Sequence, residues 1–277
     1  MNPPSVIGKL GFSEPMSARP RFHANDTARD VLNVVPRAVE IEDLRQRTVA
    51  PSLDVEGFCL VDHQSGVRDF RDAGEIERLH VDEIRELLLA VSGADHVAVT
   101  SAGVLRFAER SKDSGALNNS RPARFVHVDV SDTTASNFYA RSRPDNGRGV
   151  CRSAQYNVWR VLTPPPQDVP LAVCAADSLD TRDFIPADAL FDKDGKIAFS
   201  FEALLLQFNP KQRWAHFSNM RSDEVLVFKT HDTDPNVAHC VPHGAFDNPL
   251  CPDDAPPRAS IEMRGIAYWF GDSGDGS

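Results

Sequence analysis

The chain has 277 residues, of which 41% are hydrophobic and 25% charged, a balance typical of an ordinary globular protein. With 40 acidic and 30 basic side chains the net charge is −10, and no lysine-rich or arginine-rich tract suggests a nucleic-acid partner. No apolar run approaches the ~20 residues of a membrane-spanning helix, and the N-terminus does not resemble a secretory signal. The five cysteines are scattered without a C-x-x-C pair, so we expect a reducing, cytoplasmic environment.

The region up to about residue 120 combines helix and strand signals. DEIRELLLAV, residues 82–91, predicts an amphipathic helix that Asp82 caps and Gly93 follows, with apolar side chains at helical spacing at Ile84, Leu87, Leu88 and Val91. Before it, GFCLVDH (57–63) predicts a strand, and GVRDF (66–70) is its possible partner. We see no linker, so residues 1–120 are expected to wrap around the rest of a single domain, 1–277.

From residue 121 to about 270 the pattern changes to short strand-like runs separated by Pro, Gly, Asn and Asp. Eight such runs without intervening helices predict a mainly β protein with flanking helices, a double-stranded β-helix of the jelly-roll or cupin-like kind. One stretch, FEALLLQF, could also be helical, and the tail 271–277 is expected to be flexible. The runs are ARFVHVDV, YNVWRVL, PLAVCAA, IAFSFEALLLQF, RWAHFSNM, EVLVFKTH, CVPHGAF and SIEMRGIAYWF.

The run FVHVDV, residues 125–130, alternates apolar and polar side chains. In a strand, His127 and Asp129 would therefore emerge on the same face, two positions apart. A second histidine would complete the two-histidine, one-carboxylate triad that binds Fe(II) and leaves three coordination positions open. We choose His243, in VPHGAF, so His127, Asp129 and His243 are the predicted metal ligands and catalytic residues.

The H-x-D spacing is short enough to occur by chance, and it recurs at His80-Val81-Asp82. That copy lies at the start of the predicted helix, where a cap is a sufficient role for Asp82. We therefore interpret the second copy as structural.

A zinc site is a further alternative, because four residues of ligand type lie between positions 239 and 251. Their H-C-x-x-H-x7-C spacing is not a common structural-zinc pattern, and adjacent residues point in opposite directions in an extended chain. The alternative is less favoured than the triad, and its members are His239, Cys240, His243 and Cys251.

The segment PPRASIEMR, residues 256–264, also alternates strictly, which places Arg258, Ser260, Glu262 and Arg264 on one face. An arginine followed by a serine two residues later can hold the distal carboxylate of 2-oxoglutarate by charge-assisted hydrogen bonds. We therefore predict Arg258 and Ser260 as co-substrate residues. Arg264 shares their face and competes for this role.

From His127 to Arg264 the chain resembles a bacterial and fungal oxygenase family that includes gibberellin desaturase-like, asaB-type and cephalosporin 7-alpha-methoxylation proteins. Two positions depart from its pattern: Gln212 stands where histidine is common, and Asp232-Thr233 where Asp-Ser is usual. The resemblance covers about half of the chain and is carried by FVHVD, NVWR, PLAVC, RW, M-x-x-x-E, VFK with Asp232, PHGAF and PPRASIEMR.

The resemblance implies a double-stranded β-helix that binds Fe(II) and uses 2-oxoglutarate and O2 to hydroxylate, desaturate or cyclise a small metabolite of secondary metabolism. It also makes Asn157, Arg160 and Arg264 candidates for contact with the substrate, although Arg160 could simply pair with an acidic residue. Two other functions remain open at this point: a metal-dependent hydrolase or isomerase on the same barrel, and a non-catalytic cupin-like accessory protein.

Overall fold

The computed structural model describes residues 4–193 and 196–271. Fifteen strands follow one another along these residues: β1 Ser5–Ser13, β2 Arg21–His23, β3 Val34–Asp43, β4 Phe58–Asp62, β5 His96–Val99, β6 Val104–Phe107, β7 His127–Val128, β8 Val150–Val161, β9 Leu171–Cys174, β10 Phe184–Lys193, β11 Lys196–Leu206, β12 Trp214–His216, β13 Glu224–Asp232, β14 His243–Ala245 and β15 Ala259–Phe270.

The helical segments are few. Helices α1 (Ala73–Glu75) and α2 (Val81–Ser92) are joined by a π-helical turn, Ile76–His80, and α3 spans Asp132–Ser142. Short 3-10 helices occur at Thr27–Arg29, Leu44–Gln46, Ala176–Ser178 and Thr181–Asp183.

The strands form two sheets. The larger has nine strands in the order β1-β3-β12-β9-β14-β7-β11-β10-β2, and the smaller has the order β4-β13-β8-β15-β5, with β6 also pairing with β15. Only the β2–β10 and β3–β12 pairs among these are parallel. Each of the eight predicted runs contributes a strand, including FEALLLQF, whose residues 201–206 belong to β11. The predicted double-stranded β-helix is confirmed. The expectation that no helix interrupts these runs is wrong, because α3 lies between β7 and β8.

The N-terminal region supplies strands to both sheets: β1, β2 and β3 to the larger, and β4, β5 and β6 to the smaller. The N-terminal strands lie in the same two sheets as the strands after residue 120, and this shared arrangement positions the predicted site. The predicted flexible tail lies outside the described residues from position 272 onward.

The prediction that GVRDF (66–70) pairs with β4 is wrong. The partner of β4 is β13, and 66–70 is irregular backbone. Its amides are bonded by helix side chains instead, since Glu83 Oε1 accepts from Gly66 N at 2.6 Å and Glu75 Oε2 accepts from Arg68 N at 2.8 Å. The local sequence pattern predicts a strand here, but the backbone amides donate to helix side chains instead. These acceptors are within reach only in the folded protein.

The helix is longer than predicted and Asp82 does not cap it. Asp72 accepts hydrogen bonds from the amides of Gly74 and Glu75 and caps the start, whereas Asp82 lies within the helix and pairs with Arg85. The predicted end is confirmed, because Gly93 follows α2 with a φ of 66°, a left-handed conformation that suits glycine. The apolar face of α2 packs on the smaller sheet, with Ile84 and Leu88 fully buried.

Candidate metal and co-substrate site

The two predicted histidines face each other across neighbouring strands of the larger sheet. His127 of β7 and His243 of β14 are directly paired, and their ring centroids are 4.4 Å apart. The Nδ1 atom of each ring points to a backbone carbonyl two residues earlier, Phe125 O at 3.1 Å and Val241 O at 3.2 Å. A carbonyl only accepts, so each Nδ1 carries the hydrogen and each Nε2 is free to bind a metal.

Asp129 follows β7 and brings a carboxylate to the same point. Its Oδ1 lies 3.4 Å from Nε2 of His127, and one ligand atom from each of Asp129, His127 and His243 lies within 4.8 Å of the others. All three side chains are buried. This donor set fits a divalent metal of the two-histidine, one-carboxylate type.

The smaller sheet holds the other oxygen of Asp129. Asn157 on β8 donates from Nδ2 to Oδ2 at 2.6 Å, and Arg264 on β15 places Nη2 3.4 Å from the same oxygen. Asn157 and Arg264 are register partners on adjacent strands, so both point across to the larger sheet. With Oδ2 engaged in this way, Oδ1 is the oxygen that remains for a metal.

The electrostatic environment of the site keeps Asp129 and His243 deprotonated. Burial raises the pKa of Asp129, but the positive charge of Arg264 and contacts with both histidines hold that pKa well below its usual range. Burial lowers the pKa of His243 to about 4, and His127 adds to this by repulsion. The carboxylate is therefore ionised and His243 is neutral at neutral pH, the forms in which they bind a metal.

Arg258 and Ser260 lie next to the triad on the strand that carries Arg264. Arg258 is only 2% exposed, and it donates from Nε to Val169 O at 2.7 Å and from Nη1 to Ser260 Oγ. Among the described residues no carboxylate lies within ion-pair distance of its guanidinium. Burial and the nearby Arg106 lower the pKa of Arg258 to about 10, so it is still a cation at neutral pH.

Arg264 differs from Arg258 in already having anionic partners. Its Nη2 lies 2.7 Å from Glu262 Oε1, and it also contacts Asp129. Burial lowers the pKa of Arg264, but these two carboxylates more than reverse the effect and raise it. In the structure Arg264 therefore positions the carboxylate of Asp129, while Arg258 has no carboxylate partner among the described residues.

Two adjoining cavities open onto the metal-binding residues. The smaller is lined by Arg258, Glu262, Trp159 and both histidines. The larger has a cavity volume of about 80 Å³ and reaches His127, Asp129 and Arg264. Its apolar wall is formed by Phe22, Phe125, Phe191 and Phe201.

Arg160 does not reach this site, contrary to the expectation of a substrate contact. It lies on the opposite face of β8, where it donates to the backbone carbonyls of His63 and Ser222 and contacts Nδ1 of His63. Its neighbours Asn157 and Trp159 face the metal-binding residues, whereas Arg160 packs beneath the helical region near Phe70. The candidate role of Arg160 therefore has no geometric support.

The second H-x-D copy is also remote from the triad. His80 is buried in the π-helical turn and bonded through Nδ1 to Glu83 Oε2 at 2.8 Å, while Asp82 is exposed. Nor do the four residues of the zinc alternative converge, since the triad and one other cluster are the only metal-binding groupings among the described residues.

Three residues lining the cavities were not assigned a functional role from the sequence. Glu262 shares the predicted face with Arg258, and that alternation was its only signal. Trp159 is buried in the core, and its ring centroid lies 5.8 Å from the guanidinium carbon of Arg258. Arg106 lines both cavities and donates to Asn119 and to the carbonyl of residue 121; nothing in its local sequence indicated this.

A buried triad of this composition between two facing β-sheets defines a non-haem iron oxygenase of the double-stranded β-helix class. Comparison with known proteins agrees. A family model described as "Oxidoreductase/YMDC permease-like domain" matches residues 10–268. Among the described residues, no helix is both long and apolar enough to cross a bilayer.

Individual proteins are also similar over most of the chain. Fe(II)/2-oxoglutarate-dependent dioxygenase nvfI of Aspergillus novofumigatus is 30% identical over 249 residues, covering 85% of this chain and 84% of the relative. Hydroxylase/desaturase efuI of Hormonema carpetanum is 29% identical over 250 residues, 83% of each chain. A solved structure of iron and alpha-ketoglutarate-dependent endoperoxidase NvfI superposes with a TM-score of 0.79 over 96% of this chain and 98% of that one, at 24% identity.

The chain belongs to the matched oxidoreductase family and, within it, to the Fe(II)/2-oxoglutarate-dependent oxygenases that the sequence motifs indicated. The solved structure supports the fold. Family membership confirms the predicted enzyme class and its requirements, Fe(II) with 2-oxoglutarate and O2.

Proposed function

We propose that this enzyme binds Fe(II) through His127, Asp129 and His243, holds the distal carboxylate of 2-oxoglutarate with Arg258 and Ser260, and oxidises a small, largely apolar metabolite. The oxidation is a hydroxylation, a desaturation or a ring closure in secondary metabolism. When bound, the iron and 2-oxoglutarate would activate O2, which is the oxidant: two of its four electrons would come from 2-oxoglutarate, giving succinate and CO2, and two from the substrate. The roles below concern the residues of this chain.

The observation that carries the proposal is the unpaired charge of Arg258. A buried guanidinium without an anionic partner is costly, because desolvation is not offset by an ion pair. Two neutral acceptors, Val169 O and Ser260 Oγ, fix its orientation beside the triad. A ligand carboxylate entering the smaller cavity would supply the missing charge, and 2-oxoglutarate carries one at the end remote from its metal-chelating atoms.

The cavity walls support an apolar substrate. Four phenylalanines line the larger cavity, and their rings can exclude water from the space beside His127 and Asp129. Arg106 places a cation in both cavities, so a substrate with one anionic or strongly polar group would be oriented by it. Asn157 and Arg264 act through Asp129 rather than on the substrate, since both hold its Oδ2.

We also propose that the enzyme works in the cytoplasm on a small molecule, without nucleic acid as a partner. All five cysteines are free, and burial raises the pKa of Cys59, Cys174 and Cys240, which keeps these thiols protonated and unreactive. The net charge of −10 disfavours a polyanionic partner.

The test is an anaerobic titration of the Fe(II)-loaded protein with 2-oxoglutarate, followed by the visible metal-to-ligand charge-transfer band. We expect the band to saturate at one equivalent of each, and we expect succinate to form once O2 is admitted with substrate. The His243→Ala variant should show no band, while His96→Ala, a histidine outside the cavities, should match the wild type. A charge-transfer band that saturates at one equivalent in His243→Ala would show that the triad assignment is wrong.

A further inference from the structure

A second cluster of metal-ligand side chains lies outside the cavities. Asp132 is the first residue of α3, His231 lies near the end of β13, and His239 lies between β13 and β14. Asp132 Oδ1 is 3.1 Å from Nε2 of His239 and 3.3 Å from Nε2 of His231, and the two rings are 4.5 Å apart between centroids. Ligand atoms from all three residues lie within 4.8 Å of one another.

The ring of His239 is oriented by its other nitrogen. Its Nδ1 lies 2.9 Å from the carbonyl oxygen of Asp232, which can only accept, so Nδ1 carries the hydrogen. In the neutral ring Nε2 is then a bare lone pair, and it points at a carboxylate oxygen that also carries lone pairs. A cation between these atoms would remove the repulsion, as in a histidine whose second nitrogen is fixed by a carbonyl for metal binding.

The ring of His231 is oriented in the same way, by a contact at its Nδ1, and this side chain is more buried than that of His239. Its Nδ1 lies 2.8 Å from the hydroxyl of Tyr139, and that hydroxyl can donate to Ser153 O at 3.2 Å. In this arrangement Nδ1 of His231 donates to the hydroxyl oxygen and Nε2 is free.

We propose that Asp132, His231 and His239 form a second divalent-metal site, distinct from the iron site and suited to Zn²⁺. Two imidazoles and one carboxylate are a ligand set that zinc accepts, and a water molecule would complete a tetrahedron. The side chains of Asp132 and His239 are 80% and 50% exposed, which leaves room for that water and a path for the ion.

The position of the cluster indicates a structural role. Asp132 follows the iron-binding Asp129 by three residues, and His239 precedes His243 by four. A metal held by the cluster would tie the start of α3 to β13 and to the segment that leads into β14. It would thereby restrain two of the chain segments that carry predicted iron ligands.

The experiment counts metal ions in the full-length protein. Metal-free protein is incubated with excess Zn²⁺, passed through a desalting column, and analysed for zinc per chain. We expect two equivalents in the wild type and one each in His239→Ala and His243→Ala. The double variant should retain none, and His96→Ala, which removes a histidine outside both clusters, should retain two.

Thermal unfolding gives a readout that does not depend on activity. In a His243→Ala background, Zn²⁺ should raise Tm, and adding Asp132→Asn or His239→Ala should abolish that rise. His239→Ala alone should keep turnover with saturating Fe(II) within about twofold of the wild type. One zinc per wild-type chain, or two in both His239→Ala and Asp132→Asn, would overturn the proposal while leaving the iron site untouched.

Discussion

Replacing Arg258 with methionine tests the co-substrate site directly. Methionine keeps much of the length of the side chain and its packing against Trp159, but removes the guanidinium that is buried without a carboxylate partner. If Arg258 holds the distal carboxylate of 2-oxoglutarate, Arg258→Met leaves that carboxylate unpaired in the smaller cavity. The loss should then appear in co-substrate binding and not in iron binding.

The size of the effect follows from charge pairing. Truncating one partner of a buried, hydrogen-bonded charge pair costs about 2–5 kcal/mol. At about 1.4 kcal/mol per tenfold, the lower limit already raises the Kd for 2-oxoglutarate about 30-fold. Without 2-oxoglutarate, Arg258→Met removes both a buried charge without an ionic partner and the hydrogen bond to Val169 O, two changes of opposite sign, so the readout is the stabilisation added by the ligand.

Two assays measure the affinity for 2-oxoglutarate. One is the dependence of succinate formation on the concentration of 2-oxoglutarate, and the other is the Tm of the anaerobic Fe(II)-protein with and without 2-oxoglutarate. At about 100 times the wild-type Kd, the ligand should stabilise the wild type by about 2.7 kcal/mol. A 30-fold weaker Kd reduces this to about 0.9 kcal/mol by the same relation.

Arg264→Met is the matched control, since Arg264 lies on the same strand face but already pairs with Glu262 and Asp129. It should weaken iron retention and leave the 2-oxoglutarate dependence near that of the wild type. The opposite result, in which Arg264→Met strongly weakens co-substrate binding and Arg258→Met has little effect, would refute the reasoning. It would place the carboxylate site at Arg264. If neither variant changed the dependence, the proposed anion site would be wrong altogether.

Four further outcomes are expected. His243→Ala should lose bound iron and turnover while remaining folded, whereas His80→Ala should retain both, as metal analysis and circular dichroism will show. Asn157→Ala frees one oxygen of the carboxylate ligand and should weaken iron affinity about 10–100-fold in a competition titration, with no change in fold. Arg160→Met should lower stability by about 1–3 kcal/mol in urea unfolding, because buried carbonyls lose their donor, and should leave KM for substrate and 2-oxoglutarate unchanged. His216→Leu should lessen acid sensitivity: burial lowers the pKa of His216 in the fold, so the unfolded chain binds more protons below about pH 6.5, and wild-type stability falls more steeply than that of the variant as pH drops.

The sequence by itself determined the strands that carry the site, β7, β8, β14 and β15, and the pairs of side chains along their alternating pattern. Alternation with a period of two predicted that His127 and Asp129 share a face, and likewise Arg258 and Ser260; the structure brings each pair together. Strand geometry is local, so a pattern along one strand is enough to assign its faces. The family motifs then indicated iron and 2-oxoglutarate, which comparison with known proteins confirmed.

Only the tertiary structure decided which residues of other strands and helices each strand face contacts. Strand alternation alone places Arg160 and Asn157 on opposite faces of β8. Packing decided which face meets the cavities: Asn157 reaches Asp129, whereas Arg160 donates to the carbonyl of His63. Arg258, just before β15, and Arg264 within it competed for the co-substrate role in the sequence. The fold placed Asp129 from the other sheet beside Arg264 and, among the described residues, no carboxylate beside Arg258.

The cap of the helix and the second metal-ligand cluster were decided in the same way. Asp72 caps the helix ten residues before the expected cap, and Asp132 meets His231 and His239 from about a hundred residues further along the chain. Such groupings depend on how sheets and helices pack across long sequence separations. No periodicity within a single segment encodes them, and this is why only the folded chain revealed them.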